Sequence, residues 1–350
     1  MRTRTALSAA TLALATALAL TGCVSGEGAP ANEPAGSSSA GADGAQEWSA
    51  DTLNVDFATY NPLSLVIKDQ GWLEDTLDGV TVNWVQSAGS NKANEALRAG
   101  AIDVGSTAGS AALLARANGT PIKTIDVYSQ PEWSAIVVPA DSDITSVADL
   151  AGKKVAATKG TDPYFFLLQA LNEANVPLDQ VQVENLQHAD GKSALENGSV
   201  DAWSGLDPLM AQSEAEAGSK LIYRNIDFNT YGFLNATESF LTKSPDLAQV
   251  VVDAYEKARA WAEEHPDETA QILADVAGID PAVAQTVVND RNKLDIDPVP
   301  GEAQRKVLEV VGPIFVESGD VQSQDLIDEA LDSLFDPQYA EAADPSAVAD

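Results

Sequence analysis

The chain has 350 residues, with 53 Asp and Glu against 20 Lys and Arg, for a formal net charge of −33. So acidic a surface disfavours nucleic acid and anionic lipid. One Cys and two His leave little material for metal or nucleophilic chemistry, and no G-x-S-x-G, Walker A, H-E-x-x-H or EF-hand pattern is present; the nearest string, Gly152-Lys153-Lys154, lacks the earlier Gly and the Ser/Thr.

Residues 1–22 carry Arg2 and Arg4, then an Ala- and Leu-rich run without an acidic residue, the pattern of a secretory signal peptide. The run from Ala6 to Leu20 is diluted by Ser and Thr and falls short of the ~20 residues that span a bilayer. It ends in Leu20-Thr21-Gly22-Cys23, which resembles the lipobox of bacterial lipoproteins. That resemblance implies lipidation of Cys23, a mature chain that begins there, and no remaining thiol for a disulfide, a metal or a nucleophile. Residues 23–50 are mostly Ser, Gly, Ala, Pro and Glu, too polar and small to bury a core, and read as a flexible tether. The ~300 residues beyond are enough for two lobes.

From there strand and helix patterns alternate. Leu53 to Thr59 alternates apolar and polar residues as a strand does. Asn61-Pro62 is a cap followed by a helix-first Pro, opening a helix to about Gly71. A strand over Val80 to Val85, a helix over Asn91 to Ala99 and a strand over Ala101 to Ser106 come next, then a helix over Gly109 to Asn118. Ile122 to Tyr128 and Ala135 to Pro139 are further strands.

The pattern then restarts. A short helix over Val147 to Leu150 precedes strands at Lys154 to Ala157, Val181 to Leu186, Val200 to Trp203 and Leu221 to Tyr223. Helices at Pro163 to Ala174, Asp190 to Glu196 and Pro208 to Ala217 separate them. After Tyr231 to Leu241 helices are expected at 247–264, 269–277, 282–290, 303–316 and 326–334, before an acidic tail that should fray. Such alternation predicts an α/β fold with mainly parallel sheets covered on both faces, in two similar lobes.

Ligands of such sheets sit beyond the carboxyl ends of strands, at helix starts, where unpaired N–H groups suit an anion. The polar and small residues at those turns are Tyr60-Asn61-Pro62, Ser87 to Lys92, Ser106 to Ser110, Lys159 to Tyr164, His188 to Asp190 and Gly205 to Pro208. Ordinary capping explains any one such turn; their convergence from two lobes points to a ligand.

Three stretches carry a resemblance: NEALRAGAIDVGSTAGSAALLARANGTPIK (Asn94 to Lys123), SDITSVADLAGKKVAATKGTDPYFFLLQAL (Ser142 to Leu171) and VENLQHADGKSALENGSVDAWSGLDPLMA (Val183 to Ala211). Across about residues 52 to 245 the chain resembles the substrate-binding proteins of ABC importers for aliphatic sulfonates, nitrate and taurine, most of all the aliphatic-sulfonate branch. The resemblance implies a two-lobed type II periplasmic-binding-protein fold, a helical C-terminal part, and hinged closure over a small solute delivered to a membrane permease. Lobe one is expected at 51–136 plus 237–340, lobe two at 137–236 and an acidic tail at 341–350, with crossings near 134–139 and 232–240. It also implies a monomer held to the outer face of the cytoplasmic membrane through Cys23, without cofactor, metal or nucleic acid.

By position, the family pattern implicates Ser87, Gly89, Ser90, Thr107, Ala108 and Gly109 from lobe one, and Gly160, Thr161, Tyr164, Trp203 and Asp207 from lobe two. By residue type, N–H groups and hydroxyls at Ser90, Thr107 and Thr161 would hold sulfonate oxygens. Tyr60, Trp133, Tyr164 and Trp203 would wall an alkyl or aryl tail, with core packing the alternative for each aromatic. Asp162 departs from the family pattern. Facing the cleft it would repel a bare anion; capping its own helix it would spend its charge locally. A taurine-like zwitterion would relieve that conflict. The alternative solute is a nitrogen heterocycle such as the pyrimidine precursor of thiamine. An enzyme on this fold would have only Asp162, Asp207 and His188 to work with, and His188 with Asp190 reads as a helix-cap neighbourhood rather than a dyad. A surface sensing protein using the same clamp is a third class.

Overall fold

The computed structural model describes residues 47–349; the predicted signal peptide, Cys23 and most of the tether lie outside the described residues. The first stretch alternates β1 (Thr52–Phe57), α1 (Pro62–Gln70), α2 (Trp72–Thr76), β2 (Thr81–Gln86), α3 (Ser90–Ala99), β3 (Val104–Ala108), α4 (Gly109–Ala117) and β4 (Ile122–Pro131). The second holds β5 (Ala135–Val138), β6 (Lys154–Ala157), α5 (Asp162–Glu173), β7 (Gln182–Asn185), α6 (His188–Glu196), β8 (Ala202–Ser204), α7 (Leu209–Ala217) and β9 (Lys220–Arg224). β10 (Gly232–Thr237) follows, then α8 (Glu238–Lys243), α9 (Pro245–Glu264), α10 (Pro266–Ala277), α11 (Pro281–Gln285), β11 (Asn292–Lys293), α12 (Glu302–Glu317), α13 (Gln324–Ser333) and α14 (Gln338–Glu341).

Two sheets result. One is ordered β11-β4-β10-β3-β1-β2 and the other β7-β6-β8-β5-β9. Each keeps a parallel run, β2-β1-β3 in the first and β7-β6-β8 in the second. The strand that brings the chain in from the other lobe, β10 or β5, inserts antiparallel to its neighbours. The chain therefore passes between lobes at residues 132–134 and 225–231, a few residues before the crossings expected from sequence.

Local chemistry sets the helix ends. The Asn61 side chain accepts from Ser64 N at 3.3 Å, and Gly71 closes α1 at φ 70°. Pro stands at the start of α1, α5, α9, α10 and α11, where a missing N–H costs nothing. At α5 the reading of Asp162 as N-cap is corrected: Thr161 is the N-cap and Asp162 the first helical residue, with its side chain turned elsewhere.

Phe165 of α5 meets Phe315 of α12 with ring centroids 4.3 Å apart. α12 touches both α4 of the first lobe and α5 of the second, so the C-terminal helices are seated across both lobes. The tail does not fray as expected: Tyr339 and Val348 are buried, and Ala349 N donates to Thr76 Oγ1 at 2.9 Å. The short α2, β11 and α14 carry too few residues to show a period in sequence. Among the described residues no helix is long and apolar enough to cross a membrane.

Candidate functional site

Four helices begin where strands of the two sheets end: α3 after β2, α4 after β3, α5 after β6 and α6 after β7. Their starts face one another across the seam between lobes. Helix starts carry unpaired N–H groups and the positive end of the helix dipole, so they offer donors to an anionic group at the seam. It is closed. Tyr60, Ser90, Ala108, Trp133, Thr161 and Asp162 line a remaining cavity of about 10 Å³, room for no more than one water. Tyr60 and Trp133 meet edge to face, centroids 6.0 Å apart. A roomier groove of about 450 Å³ lies outside the seam, beside Leu168, Leu171 and Ile314, and lacks these convergent helix starts.

Asp162 is 1% exposed and accepts four hydrogen bonds. Its Oδ1 takes Ser110 Oγ at 2.5 Å and Thr230 Oγ1 at 2.6 Å. Its Oδ2 takes Trp133 Nε1 at 2.8 Å and Thr230 N at 2.9 Å. Burial pushes the carboxyl above its ordinary range, and the bonds from Ser110, Thr230 and Trp133 pull it part of the way back.

On the other side of the seam stand Gly89, Ser90 and Asn91 of lobe one, against Gly160 and His188 of lobe two. A Cβ on Gly89 would lie 2.8 Å from His188 Nε2 and 3.0 Å from Asn91 Oδ1, and one on Gly160 would lie 3.5 Å from Asn91 Cβ. His188 is 2% exposed, and burial drives its pKa down to about 3, so the ring is neutral. Thr158 Oγ1 donates to Leu186 O at 2.7 Å and so accepts from His188 Nδ1, 3.1 Å away. This network assigns the proton to Nδ1 and leaves Nε2 a bare acceptor. His188 Nε2 and Asn91 Oδ1 are both buried without a partner among the described residues. Ser90 Oγ accepts Ala108 N at 2.9 Å, which leaves its own hydrogen to donate.

Most of the remaining residues singled out from sequence are engaged with partners inside the protein. Ser87 bonds to buried Asp56, whose carboxyl is raised by burial to about 7 and which also accepts Ser106 N at 2.8 Å. Thr107 Oγ1 donates to Ala108 O at 2.9 Å and accepts Asn235 Nδ2 at 2.8 Å, and Thr161 Oγ1 donates to Thr158 O at 2.6 Å. Gly109 donates its N–H to Tyr231 O at 3.1 Å, against the returning crossing. Asp207 lies at the far end of the seam, paired with Arg291 of the C-terminal part at 3.2 Å and accepting Ala211 N at 2.9 Å. Burial raises its carboxyl to about 6 while Arg291 opposes the shift.

Tyr164 and Trp203 are not brought into the seam lining. Trp203 is wholly buried in the second lobe's core with Val137, Leu195 and Met210. Tyr164 packs on Phe165, centroids 5.3 Å apart, under the Lys159 ammonium. Sequence reasoning missed Asn91, Ser110, Thr230 and Arg291 as members of the seam. Ser110 and Asn91 stood in small-residue turns that had been noted; Thr230 and Arg291 carried no local signal.

Known proteins share the family and the fold of this chain. A family model described as "NMT1/THI5 like" matches residues 62–269. Two relatives carry the name "Putative aliphatic sulfonates-binding protein". The one from Escherichia coli (strain K12) is 28% identical over 260 residues, 74% of this chain and 82% of that one. The one from Bacillus subtilis (strain 168) is 30% identical over 236 residues, 66% of this chain and 71% of that one. Among solved structures, the alkanesulfonate-binding protein SsuA from Xanthomonas axonopodis pv. citri, bound to MOPS, superposes with a TM-score of 0.73 at 23% identity, covering 80% of this chain and 98% of that one. The fold is thus the two-lobed type II periplasmic-binding-protein fold that the resemblance implies, and the chain belongs to the NMT1/THI5-like family.

Proposed function

We propose that this protein is the extracytoplasmic solute-binding component of an ABC import system. It captures a small sulfonate, an alkyl sulfonate or a taurine-like amino sulfonate, by hinge closure and hands it to a membrane permease. The observation that carries the reading is the seam itself. Helix starts from both lobes meet there, with the Ser90 hydroxyl hydrogen free to donate to an oxyanion. The relatives named for aliphatic sulfonates support the solute class. The relatives are binding proteins, which favours capture over catalysis. On this reading lobe one is 51–136 with 237–340 and lobe two is 137–236, hinged at the two crossings. The chain is exported by residues 1–22, held by lipid on Cys23 through the 23–50 tether, and acts as a monomer.

A second reading has one observation in its favour. His188 Nε2 and Asn91 Oδ1 are two buried acceptors without donors, which suits a solute bearing N–H groups. An amino sulfonate meets that demand within the first reading; a nitrogen heterocycle such as the thiamine-precursor pyrimidine meets it within the second. Calorimetric titration of the purified protein with an alkyl sulfonate, taurine, nitrate, sulfate and the hydroxymethyl pyrimidine decides between them. Binding of a sulfonate at about micromolar Kd, weakened about tenfold or more in Ser90→Ala, is the expected result. Binding of the pyrimidine alone transfers the protein to the heterocycle reading.

A further inference from the structure

None of the four donors around Asp162 lies in the sheet of its own lobe or on the helices that flank that sheet. Ser110 is the second residue of α4 in lobe one, Trp133 lies on the outgoing crossing, and Thr230 lies on the returning one. Asp162 opens α5 in lobe two. Two hydroxyls, an indole N–H and a backbone N–H thus converge on one carboxylate, two on each oxygen, and each donating residue is 3% exposed or less. Thr230 Oγ1 itself accepts Ser110 N at 2.7 Å, which turns its hydrogen toward Asp162. A carboxylate accepts about four hydrogen bonds, so Asp162 has no lone pair left for a cationic group of a solute. A set of convergent N–H and O–H donors beside helix starts is an oxyanion receptor, and here the protein supplies the oxyanion.

We propose that Asp162 is a built-in anion: its carboxylate fills a receptor formed by lobe one and the two crossings, latches the lobes together without solute, and bars free oxyanions from that receptor. This rests on the reading of the seam as the solute cleft, and it makes Asp162 a specificity residue of that cleft. Small anions find the receptor taken, and a solute's anionic group must be met on the Gly89–Ser90 side. Solute-free protein sits closed, and the solute must also be worth the cost of releasing the latch.

The test vacates the receptor. Asp162→Ala removes the carboxylate and leaves Ser110 Oγ, Thr230 N, Thr230 Oγ1 and Trp133 Nε1 around the space. Titration with formate, acetate and sulfate, followed by the fluorescence of the variant against wild type, should show saturable binding in the variant at least about tenfold tighter than any wild-type response. Small-angle scattering should show solute-free wild type compact, the variant expanded, and formate returning the variant toward the compact form. A variant that gains no anion binding and stays as compact as wild type overturns the proposal. Should Asp162→Ala not fold, Ser110→Ala and Trp133→Phe each remove one donor from an otherwise intact receptor; expansion of the solute-free protein in both supports the latch, and unchanged scattering in both overturns it. Formate binding by the variant is independent of whether wild type binds a sulfonate, so failure of the solute reading and failure of the latch are told apart.

Discussion

Gly89→Ala tests whether the seam closes as described. The new Cβ would lie 2.8 Å from His188 Nε2 and 3.0 Å from its Cδ2, across the seam, and 3.0 Å from Asn91 Oδ1 in its own lobe. Ordinary contacts between such atoms begin near ~3.5 Å, so roughly 0.7 Å of overlap with the imidazole must be relieved. Two costs separate cleanly. Gly89 has φ 159° and ψ 161°, a conformation that alanine pays for in open and closed protein alike, on the order of 1–3 kcal/mol. The overlap with His188 exists only when the lobes meet. Overpacking of this kind costs about 1–3 kcal/mol, and because solute-free protein sits closed the cost falls on its stability. Urea unfolding of solute-free wild type, Gly89→Ala, His188→Ala and the double variant forms a double-mutant cycle. In the His188→Ala background the stability loss from Gly89→Ala should shrink by about 1–3 kcal/mol, leaving only the backbone cost. An equal loss in both backgrounds refutes the closure contact.

Other consequences follow from the buried charges and the crossings. Arg291→Ala strands the Asp207 carboxylate in a nearly solvent-free site and should cost about 3–5 kcal/mol in urea unfolding. Asp56 has its folded pKa raised to about 7 from 3.8, so the stability tied to its protonated form is lost as pH rises through about 7. Asp56→Asn should therefore gain on wild type with rising pH, by about 3 kcal/mol between about pH 5 and about pH 8, read from the Tm of both proteins at each pH. His188 is depressed to about 3, so its contribution is complete above pH 6.5 and falls away in acid. His188→Gln should remove roughly 3 kcal/mol of the stability lost between about pH 7 and about pH 4, checked by paired urea midpoints. A Cβ on Gly109 would meet Thr230 O at 2.3 Å, so Gly109→Ala should lower stability by about 1–3 kcal/mol through the crossing that carries Thr230.

Local sequence was enough for much of this protein. The helix caps at Asn61 and Gly71, the prolines that open α1 and α5, and the β–α alternation placed nearly every long element within a few residues, because these signals act between neighbours in the chain. The small-residue turns also marked the helix starts that line the seam. What sequence could not decide was the business of each polar group there. Asp162 reads locally as a helix cap, yet its partners Ser110, Trp133 and Thr230 lie 52, 29 and 68 residues away. Asp207 reads as a cleft acid, yet it is paired with Arg291, 84 residues away. Trp203 follows a strand as a site residue would, yet the strand's pleat turns it into the second lobe's core. Composition and periodicity determine where helices begin and strands end. Which charges cancel, and which acceptors stay bare, is decided only when two crossings bring lobe one and lobe two face to face, since hydrogen bonds and ion pairs depend on distances between residues remote in the chain.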